Sequence, residues 1–376
     1  MKRAVFGSVI GKNNPYAPLD DFLQGKLLKS SRTIDKTYDD FKEYLDDKQN
    51  LENAFNEFKY EFSKSYESSE EERRREQIFR DNMLRVYGHN LKALDGTYSY
   101  TSRVSVDADL TPEEFRQKHT HCQFGINPPI DHSKSDSTSV DSHTADKSWS
   151  VDWRDQGQDC GSCVPFAMAA MVESYWARSG HGVTPLSPQQ ILDCFPKASC
   201  KGVNSTDFRS LLSYIQKNGL TSWENYPYTA KKGTCDRERE SKRVATIGEP
   251  REDDPRNEST LTSYVRDNGP AFVVVHIGID WFLYAQGVHT YQCGKFNHAV
   301  LVVGYGYDKE LDKHYWIIKN SWGDQWGEGG YIRLHRNAAT MCPLHPLSFQ
   351  LPYNTGQSPG PTLAVLLEHK LKYEQG

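Results

Sequence analysis

A cysteine follows another cysteine by three positions at the start of a predicted helix. Cys160 and Cys163 form a C-x-x-C pair, and the stretch from Val164 to Arg178 carries apolar residues at helical spacing. We therefore expect Cys163 at a helix N-terminus, where the helix dipole and free backbone N–H groups favour the thiolate. Pro165 suits the first turn, because the donor it lacks would have no partner there. A thiolate in this setting could attack a carbonyl carbon.

A thiolate nucleophile needs a general base, and the base needs a group that orients it. His298 opens the apolar run 299–303, and Asn320 ends the strand-like run 315–319. These two residues follow Cys163 by 135 and 157 positions. Two neighbouring strands could present both side chains on one side of a sheet. The sequence thus supplies candidates for a nucleophile, a base and an orienting group.

Other interpretations of the same motifs are weaker. The C-x-x-C pair could be a thioredoxin-like redox motif, but no βαβ pattern precedes it. The Gly304-Tyr305-Gly306 segment follows a strand, as a dinucleotide-binding loop would, yet Lys309 occupies the position of the third glycine. A zinc site would require closely spaced cysteine pairs at a regular separation, and the sequence shows this pattern only in part. We expect neither a metal nor a cofactor.

Two charged segments with helical periodicity lie upstream of the cysteine pair. The first has Phe55, Phe58 and Phe62 on one face. The second follows the run 70–75, in which three acidic residues precede three arginines, the order that a helix N-terminus favours. Its apolar side comprises Ile78, Phe79, Met83, Val86 and Tyr87. The sequence predicts two amphipathic helices that pack on a common core.

Composition excludes several classes of protein. The chain has 376 residues, 45 Lys and Arg against 50 Asp and Glu, and a net charge of −5, which gives no electrostatic reason to expect nucleic acid. With 37% hydrophobic residues it can form a sizeable core. No apolar run approaches the roughly 18 residues of a membrane span. The length favours two domains, or one domain with a pro-segment.

Four motifs in the chain resemble those of papain-family cysteine proteases. Three of them run from Asp155 to Cys163, from Asn297 to Gly306 and from Lys319 to Gly327. The fourth, Glu71-x3-Arg75-x2-Ile78-Phe79-x2-Asn82-x3-Val86-x3-Asn90, is similar to the signature of the inhibitory prodomain of cathepsin L-like members. The resemblance implies an α+β, two-lobed papain-like fold, with a helical lobe and a β-rich lobe, preceded by a helical prodomain.

The resemblance also assigns roles to individual residues. Cys163 would be the nucleophile, His298 the acid and base, and Asn320 the orienter of its imidazole. Gln156 would supply an oxyanion-hole amide, with Gln158 as an alternative donor. Gly202, Val203, Trp322 and Trp326 would contact substrate, and Trp322 would shield the His298–Asn320 hydrogen bond from water. The protein would be a zymogen of a cysteine-type endopeptidase that forms a thioester on Cys163 and acts on peptides or proteins.

The same resemblance gives a division of the chain and its binding partners. The prodomain would act as an intramolecular inhibitor of a monomeric enzyme. The many carboxylates and arginines of the prodomain suggest, independently of the resemblance, that acid weakens its docking and exposes the 124–147 linker to cleavage. The expected segments are an N-terminal extension without a clear signal peptide (1–45), the prodomain (46–120), an activation linker (121–147), the catalytic domain (148–353) and a tail (354–376).

The eight cysteines bear on the cellular compartment. The resemblance pairs Cys160 with Cys200, Cys194 with Cys235 and Cys293 with Cys342, and it leaves Cys163 free and Cys122 alone. Three disulfides imply an oxidising compartment. Asn204 and Asn257 begin glycosylation sequons. We expect a lysosomal or extracellular protein.

Some positions depart from the family pattern. The interval from Trp153 to Cys163 is shorter than in family members, and it leads to the oxyanion-hole glutamine. Val203 stands where a glycine lets substrate approach closely, so we expect weaker substrate binding. A second prodomain motif is preserved only as Asp109. The short interval before Cys163 favours an alternative, a catalytically impaired homologue that binds substrates or acts as an inhibitor, whereas the presence of Cys163, His298 and Asn320 opposes it.

Overall fold

The computed structural model describes residues 34–119, 160–248, 251–252, 258–290, 294–336, 345–346 and 349–350. The chain divides into two compact units. The first comprises Met1–Phe115 and Gly278–Thr290, and the second comprises Arg116–Ile277 and Tyr291–Gly376. Both contain helices and antiparallel strands, so the predicted α+β class is confirmed. Among the described helices, none combines the length and apolar character needed to cross a membrane.

Three helices form the core of the first unit: α1 (Ile34–Asp46), α2 (Lys48–Glu61) and α3 (Ser69–Leu94). Phe55 and Phe58 of the predicted stripe are buried, whereas Phe62 is the C-cap of α2 and only packs against the core. The ring of Phe41 stacks on that of Tyr87 at 4.0 Å. The last turns of the predicted N-terminal extension therefore form a helix of this bundle.

The N-terminus of α3 and the loop after it are fixed by polar side chains. Ser68 caps the helix by accepting a hydrogen bond from the Glu71 N–H at 3.2 Å. The Asn82 amide donates to the carbonyls of Ala108 and Leu110 at 2.8 and 3.0 Å. These bonds stabilise the loop around Asp109, whose carboxylate pairs with Lys64 at 2.9 Å and accepts from Tyr66 at 2.9 Å. The altered second prodomain motif therefore still forms an anchored loop.

A strand pair in the first unit joins the helical segment to residues 278–290. Strand β1 (Tyr100–Ser102) pairs antiparallel with β6 (Tyr284–His289), and Tyr100 lies opposite Gly287. Asn90 of α3 holds β1, because its amide donates to Ser102 O and accepts from Ser102 N, both at 2.8 Å. The helix α10 (Ile279–Phe282) precedes β6, and α4 (Pro112–His119) follows the loop after β1.

The second unit combines helices with an antiparallel sheet. Its helices are α5 (Cys163–Trp176), α6 (Pro188–Cys194), α7 (Phe208–Asn218), α8 (Arg237–Ser241) and α9 (Glu258–Asn268). Five of its strands lie in the order β9 (Tyr331–His335), β8 (Lys313–Lys319), β7 (His298–Asp308), β5 (Ala271–Val275) and β10 (His345–Pro346). The short strands β2 (Leu220–Thr221) and β3 (Arg243–Ala245) pair with each other, as do β4 (Arg251–Glu252) and β11 (Phe349–Gln350).

Helix α5 packs against β7 and β5. Met168 and Val172 of the helix share one buried cluster with Phe272, Ala299 and Leu301 of the strands. Because α5 is apolar on most of its surface, it is the central helix of this unit. This packing brings the helix that begins at Cys163 onto the strand that begins at His298.

Candidate active site

The start of α5 places Cys163 as the sequence predicts. Ser162 is the N-cap residue, and its carbonyl accepts the first helical hydrogen bond, from Phe166 N at 3.0 Å. The Ser162 hydroxyl also hydrogen-bonds to the hydroxyl of Tyr228. Cys163 is 5% exposed. The first backbone N–H groups of α5 surround this residue, as at any helix N-terminus.

The redox state of Cys163 differs from the prediction. We expected a free thiol, but Cys163 is disulfide-bonded, and its partner lies outside the described residues. The other described cysteines are paired as the resemblance implied, Cys160 with Cys200 and Cys194 with Cys235. The correction has a physical reason, because a helix N-terminus that favours a thiolate also favours thiol–disulfide exchange at that sulfur.

Several predicted residues lie outside the described residues. They are Cys122, Trp153, Gln156, Gln158, Cys293, Cys342, the linker 121–147 and the tail 354–376. The disulfide between Cys293 and Cys342 and the choice of oxyanion-hole glutamine therefore stay predictions.

His298 and Asn320 lie together as the strand pattern predicts. Strands β7 and β8 pair antiparallel, and Asn320 directly follows β8. The Nε2 atom of His298 lies 2.9 Å from the Oδ1 atom of Asn320. Because Oδ1 can only accept, the proton lies on Nε2. The Nδ1 atom is buried and has no hydrogen-bond partner among the described residues, so it can accept a proton.

Asn320 is itself held by the backbone. Its N–H donates to Gly330 O at 3.0 Å, and its Oδ1 accepts from Ser321 N at 2.8 Å. These bonds fix the side-chain oxygen that faces the imidazole. The orienter is therefore rigid before any substrate binds.

Aromatic rings cover the His298–Asn320 pair. The ring of Trp322 lies 5.2 Å from that of His298, and Trp326 packs edge-on against Trp322 at 4.9 Å. Both indoles are buried. The ring of His119, the last residue of α4, lies 5.0 Å from that of Trp322. Trp322 thus lies against His298, and its shielding of the His298–Asn320 hydrogen bond from water stays a prediction.

The environment of His298 disfavours its protonated form. The side chain is 1% exposed, and burial lowers its pKa to about 4. The Asn320 hydrogen bond acts in the opposite direction, and the positive charge of His119 lowers the pKa further. The imidazole is thus neutral at neutral pH in this form of the protein. Sequence reasoning missed His119, because nothing in its local pattern marks it as a neighbour of His298.

The proposed substrate-contacting residues of the helical side lie in a tight turn. Gly202 has φ of +91°, and it exchanges backbone hydrogen bonds with Ser199 at 2.9 and 3.2 Å. Val203 is buried in the core cluster that contains α5. Its bulk therefore contributes to the packing of this unit.

One group of possible metal ligands occurs among the described residues. Cys194, Cys235 and Glu240 have ligand atoms within 4.8 Å of one another. The two sulfurs are joined to each other, so neither is a thiolate that could coordinate an ion.

Comparisons with known proteins agree with this geometry. The family described as "Papain family cysteine protease" matches residues 137–349, and the "Cathepsin propeptide inhibitor domain (I29)" matches residues 55–115. Fruit bromelain of Ananas comosus is 34% identical over 316 residues, covering 78% of this chain and 85% of that protein. A cathepsin L-like proteinase of Fasciola hepatica is 30% identical over 311 residues, covering 79% and 92%.

A solved structure of a precursor is also similar. The digestive procathepsin L 3 of the Tenebrio molitor larval midgut has a TM-score of 0.65 and 32% identity, covering 80% of this chain and 97% of its own. Fold and site together define a thiol peptidase with an inhibitory propeptide. The chain belongs to the papain family of cysteine proteases, and it is a cathepsin L-like zymogen. The predicted papain-like fold, peptide-bond hydrolase activity and intramolecular prodomain are confirmed.

Proposed function

We propose that Cys163, His298 and Asn320 carry out the hydrolysis of peptide bonds in this cysteine endopeptidase. The observation that carries the proposal is the hydrogen bond of 2.9 Å between His298 Nε2 and Asn320 Oδ1. It leaves Nδ1 as the unprotonated ring nitrogen, which is the atom that a general base requires. The position of Cys163 at the start of α5 supports its role as the nucleophile.

The reaction begins once Cys163 is reduced and transfers its proton to His298 Nδ1. The thiolate sulfur attacks the peptide carbonyl carbon, and the carbonyl π electrons move onto the oxygen. When the tetrahedral intermediate collapses, the C–N bond breaks and His298 gives its proton to the leaving amine. The acyl group remains on Cys163 as a thioester. Water then attacks the thioester while His298 removes a proton, which releases the acid and restores the thiol.

The developing oxyanion needs hydrogen-bond donors. The backbone N–H of Cys163 at the helix start is one, and the side-chain amide of Gln156 or of Gln158 is the second. Removal of one such donor typically costs about 3–4 kcal/mol in transition-state stabilisation.

We infer peptides and proteins as substrates, and a monomer as the functional form. Gly202 and Val203 on the helical side, with Trp322 and Trp326 on the side of the sheet, would contact the bound chain. The positive φ of Gly202 shows that the 200–203 segment turns tightly at this position.

The segments of the precursor are assigned from the same reasoning. An extension (1–45), a prodomain (46–120), an activation linker (121–147), a catalytic domain (148–353) and a tail (354–376) remain our proposal. The disulfides of Cys160 and Cys194 support passage through the secretory pathway. We propose a lysosomal or extracellular destination.

The proposal is tested by covalent labelling and turnover of the processed, reduced enzyme. We expect an epoxide inhibitor of cysteine proteases to form one adduct on Cys163, and peptide amide hydrolysis to stop when it does. A Cys163→Ala variant serves as the matched control and should neither react nor turn over. A folded, reduced enzyme without an adduct on Cys163 would contradict the proposal and favour the impaired homologue.

A further inference from the structure

A glycosylation sequon lies directly after the turn that we propose contacts substrate. The segment Asn204-Ser205-Thr206 has a hydroxyl residue at its third position and no proline at its second, as N-linked glycosylation requires. Asn204 follows Gly202 by two residues. Because consecutive Cα atoms lie about 3.8 Å apart, the Cα atoms of Asn204 and Gly202 lie within about 8 Å of each other. A modification of Asn204 would therefore stand beside that turn.

The side chain of Asn204 is accessible in the folded protein. Asn204 is exposed, whereas the preceding residue, Val203, is buried in the core. The backbone of Asn204 is extended, with φ of −67° and ψ of 148°. Its side chain makes no capping hydrogen bond to the short 3₁₀ turn Ser205–Asp207 that follows. A sugar on the Asn204 amide would therefore displace no core contact and break no capping bond.

The segment before Asn204 is joined to the segment that precedes the nucleophile. A disulfide links Cys200 to Cys160, and their Cα atoms lie 4.2 Å apart. The carbonyl of Cys200 also accepts a hydrogen bond from Gly161 N at 2.9 Å. Gly161 lies two residues before Cys163. These two links hold the chain that leads to Asn204 beside the start of α5.

The segment after Asn204 is fixed as well. The carbonyl of Asn204 accepts a hydrogen bond from Asp207 N at 2.9 Å, and that of Ser205 accepts from Phe208 N. Phe208 then begins α7 and is buried in the core cluster that contains α5. A glycan on Asn204 would thus extend from a point held on both sides by the fold.

We propose that Asn204 carries an N-linked glycan that restricts the enzyme to short or unfolded peptide substrates. The proposal rests on the proposed function, namely passage through the secretory pathway and substrate contact at Gly202 and Val203. Transfer joins the Nδ2 atom of Asn204 to the anomeric carbon of an oligosaccharide. The bond from that carbon to the diphosphate of a lipid-linked donor breaks, and the amide releases one proton. The exposed side chain lets the folded protein accommodate this bulky, solubilising group.

The restriction is steric. A short peptide that contacts Gly202 and Val203 needs only the space of its own backbone and side chains. A folded protein brings additional surface on both sides of the scissile bond, and this surface would collide with a bulky glycan at Asn204. We therefore expect kcat/KM for a folded protein substrate to rise severalfold when the glycan is absent. The value for a short peptide amide should stay the same.

The first experiment measures whether Asn204 is modified. The full-length precursor is produced in eukaryotic cells through the secretory pathway and treated with a glycoamidase in water labelled with heavy oxygen. The enzyme converts each glycosylated asparagine to a labelled aspartate, which peptide mapping by mass spectrometry locates. We expect the label at Asn204 in most of the chains. The same map reports separately on Asn257, which begins the other sequon and lies outside the described residues.

Two substitutions of one residue separate the glycan from the asparagine that carries it. Thr206→Ala destroys the sequon and keeps Asn204, whereas Thr206→Ser keeps the sequon. Thr206 is exposed, so we expect both variants to fold. Thr206→Ala should lose the glycan mass, and its processed form should cleave a folded protein severalfold faster than that of Thr206→Ser. Both should hydrolyse a short peptide amide at the same rate.

Two results would overturn the proposal. The first is an unmodified Asn204 in the precursor, whether or not Asn257 is modified. The second is the same ratio of protein to peptide hydrolysis in Thr206→Ala and Thr206→Ser. Epoxide labelling of Cys163 in the same samples keeps these results separate from the proposed catalytic role. A labelled Cys163 together with an unmodified Asn204 refutes the glycan alone.

Discussion

The imidazole of His119 packs against the indole of Trp322, with ring centroids 5.0 Å apart. Trp322 in turn covers His298, the proposed general base. The C-terminal end of α4 thus lies beside Trp322 and His298. Because His119 lies close to His298, a positive charge on His119 lowers the pKa of His298, in addition to the larger effect of burial. The precursor holds its general base neutral partly by this contact.

The first prediction concerns the pKa of His298 in the zymogen. We expect His298 to titrate near pH 4 in the precursor, and at higher pH in a His119→Ala precursor, because that change removes a like charge and part of the burial. The measurement is NMR of histidine ring carbons against pH. His181→Ala is the control, and it should leave the His298 titration unchanged. An unaltered pKa in His119→Ala would show that burial by other groups sets the value.

The same titration has a consequence for stability. The folded pKa of His298 is depressed, so above pH 6.5 the group is neutral in both states and contributes no pH dependence. Between pH 6.5 and about 4 the unfolded chain binds a proton that the folded precursor does not. The free energy of unfolding of the precursor therefore decreases as the pH falls through this range.

The second prediction concerns the disulfide of Cys163. Because this sulfur is bonded in the precursor, we expect it to resist iodoacetamide and epoxide labelling until a thiol reductant is added. Reduction consumes two reductant thiols, yields two cysteine thiols and forms one reductant disulfide. Peptide mapping without reduction identifies the partner sulfur. Full labelling of the untreated precursor at Cys163 would contradict the prediction.

The third prediction concerns Asn320, which we propose orients the imidazole of His298. We expect Asn320→Ala to lower kcat/KM of the processed enzyme by about 10²-fold, because the imidazole loses the bond that fixes its tautomer and orientation. The loss should appear in kcat rather than in KM. The control is Asn225→Ala, which removes bonds to Thr221 and Arg239 instead. A retained kcat in Asn320→Ala would remove Asn320 from the mechanism.

The fourth prediction concerns a glycine in the strand that pairs with the prodomain. Gly287 has φ of +101°, and an added Cβ would lie 2.5 Å from Ser99 O and 2.7 Å from Tyr100 Cα. Gly287→Ala should therefore separate β1 from β6 and speed exchange of the Val288 amide. Gly96→Ala is a sharp control, because Gly96 also has positive φ, +85°, but an added Cβ has no neighbour within 4 Å.

We also expect the two glycine variants to lower the free energy of unfolding by different amounts. Backbone strain alone costs about 1–2 kcal/mol at either position. The clash at Gly287 is with backbone, which cannot move without breaking the strand pair. Equal exchange rates at Val288 in both variants would show that the close approach is not needed for docking.

Part of this fold could be predicted from local sequence. The stripe of Phe55 and Phe58 predicted α2, because a helix buries every third or fourth residue whatever it packs against. The apolar run after His298 predicted β7, and the apolar spacing after Cys163 together with Pro165 predicted the start of α5. The motif resemblance identified the family and the pairing of Cys160 with Cys200 and of Cys194 with Cys235.

The sequence by itself thus determined the protein class, the main elements and the residues proposed for catalysis. Only the tertiary structure decided which distant groups meet, namely His119 with Trp322, His289 with Asp280 and Tyr100, and Cys163 with a disulfide partner. The physical reason is that sequence periodicity indicates which face of a helix or strand is buried. The protonation state of a side chain and the redox state of a sulfur depend instead on the particular atoms that they contact. Protonation and redox state are therefore properties of the assembled chain.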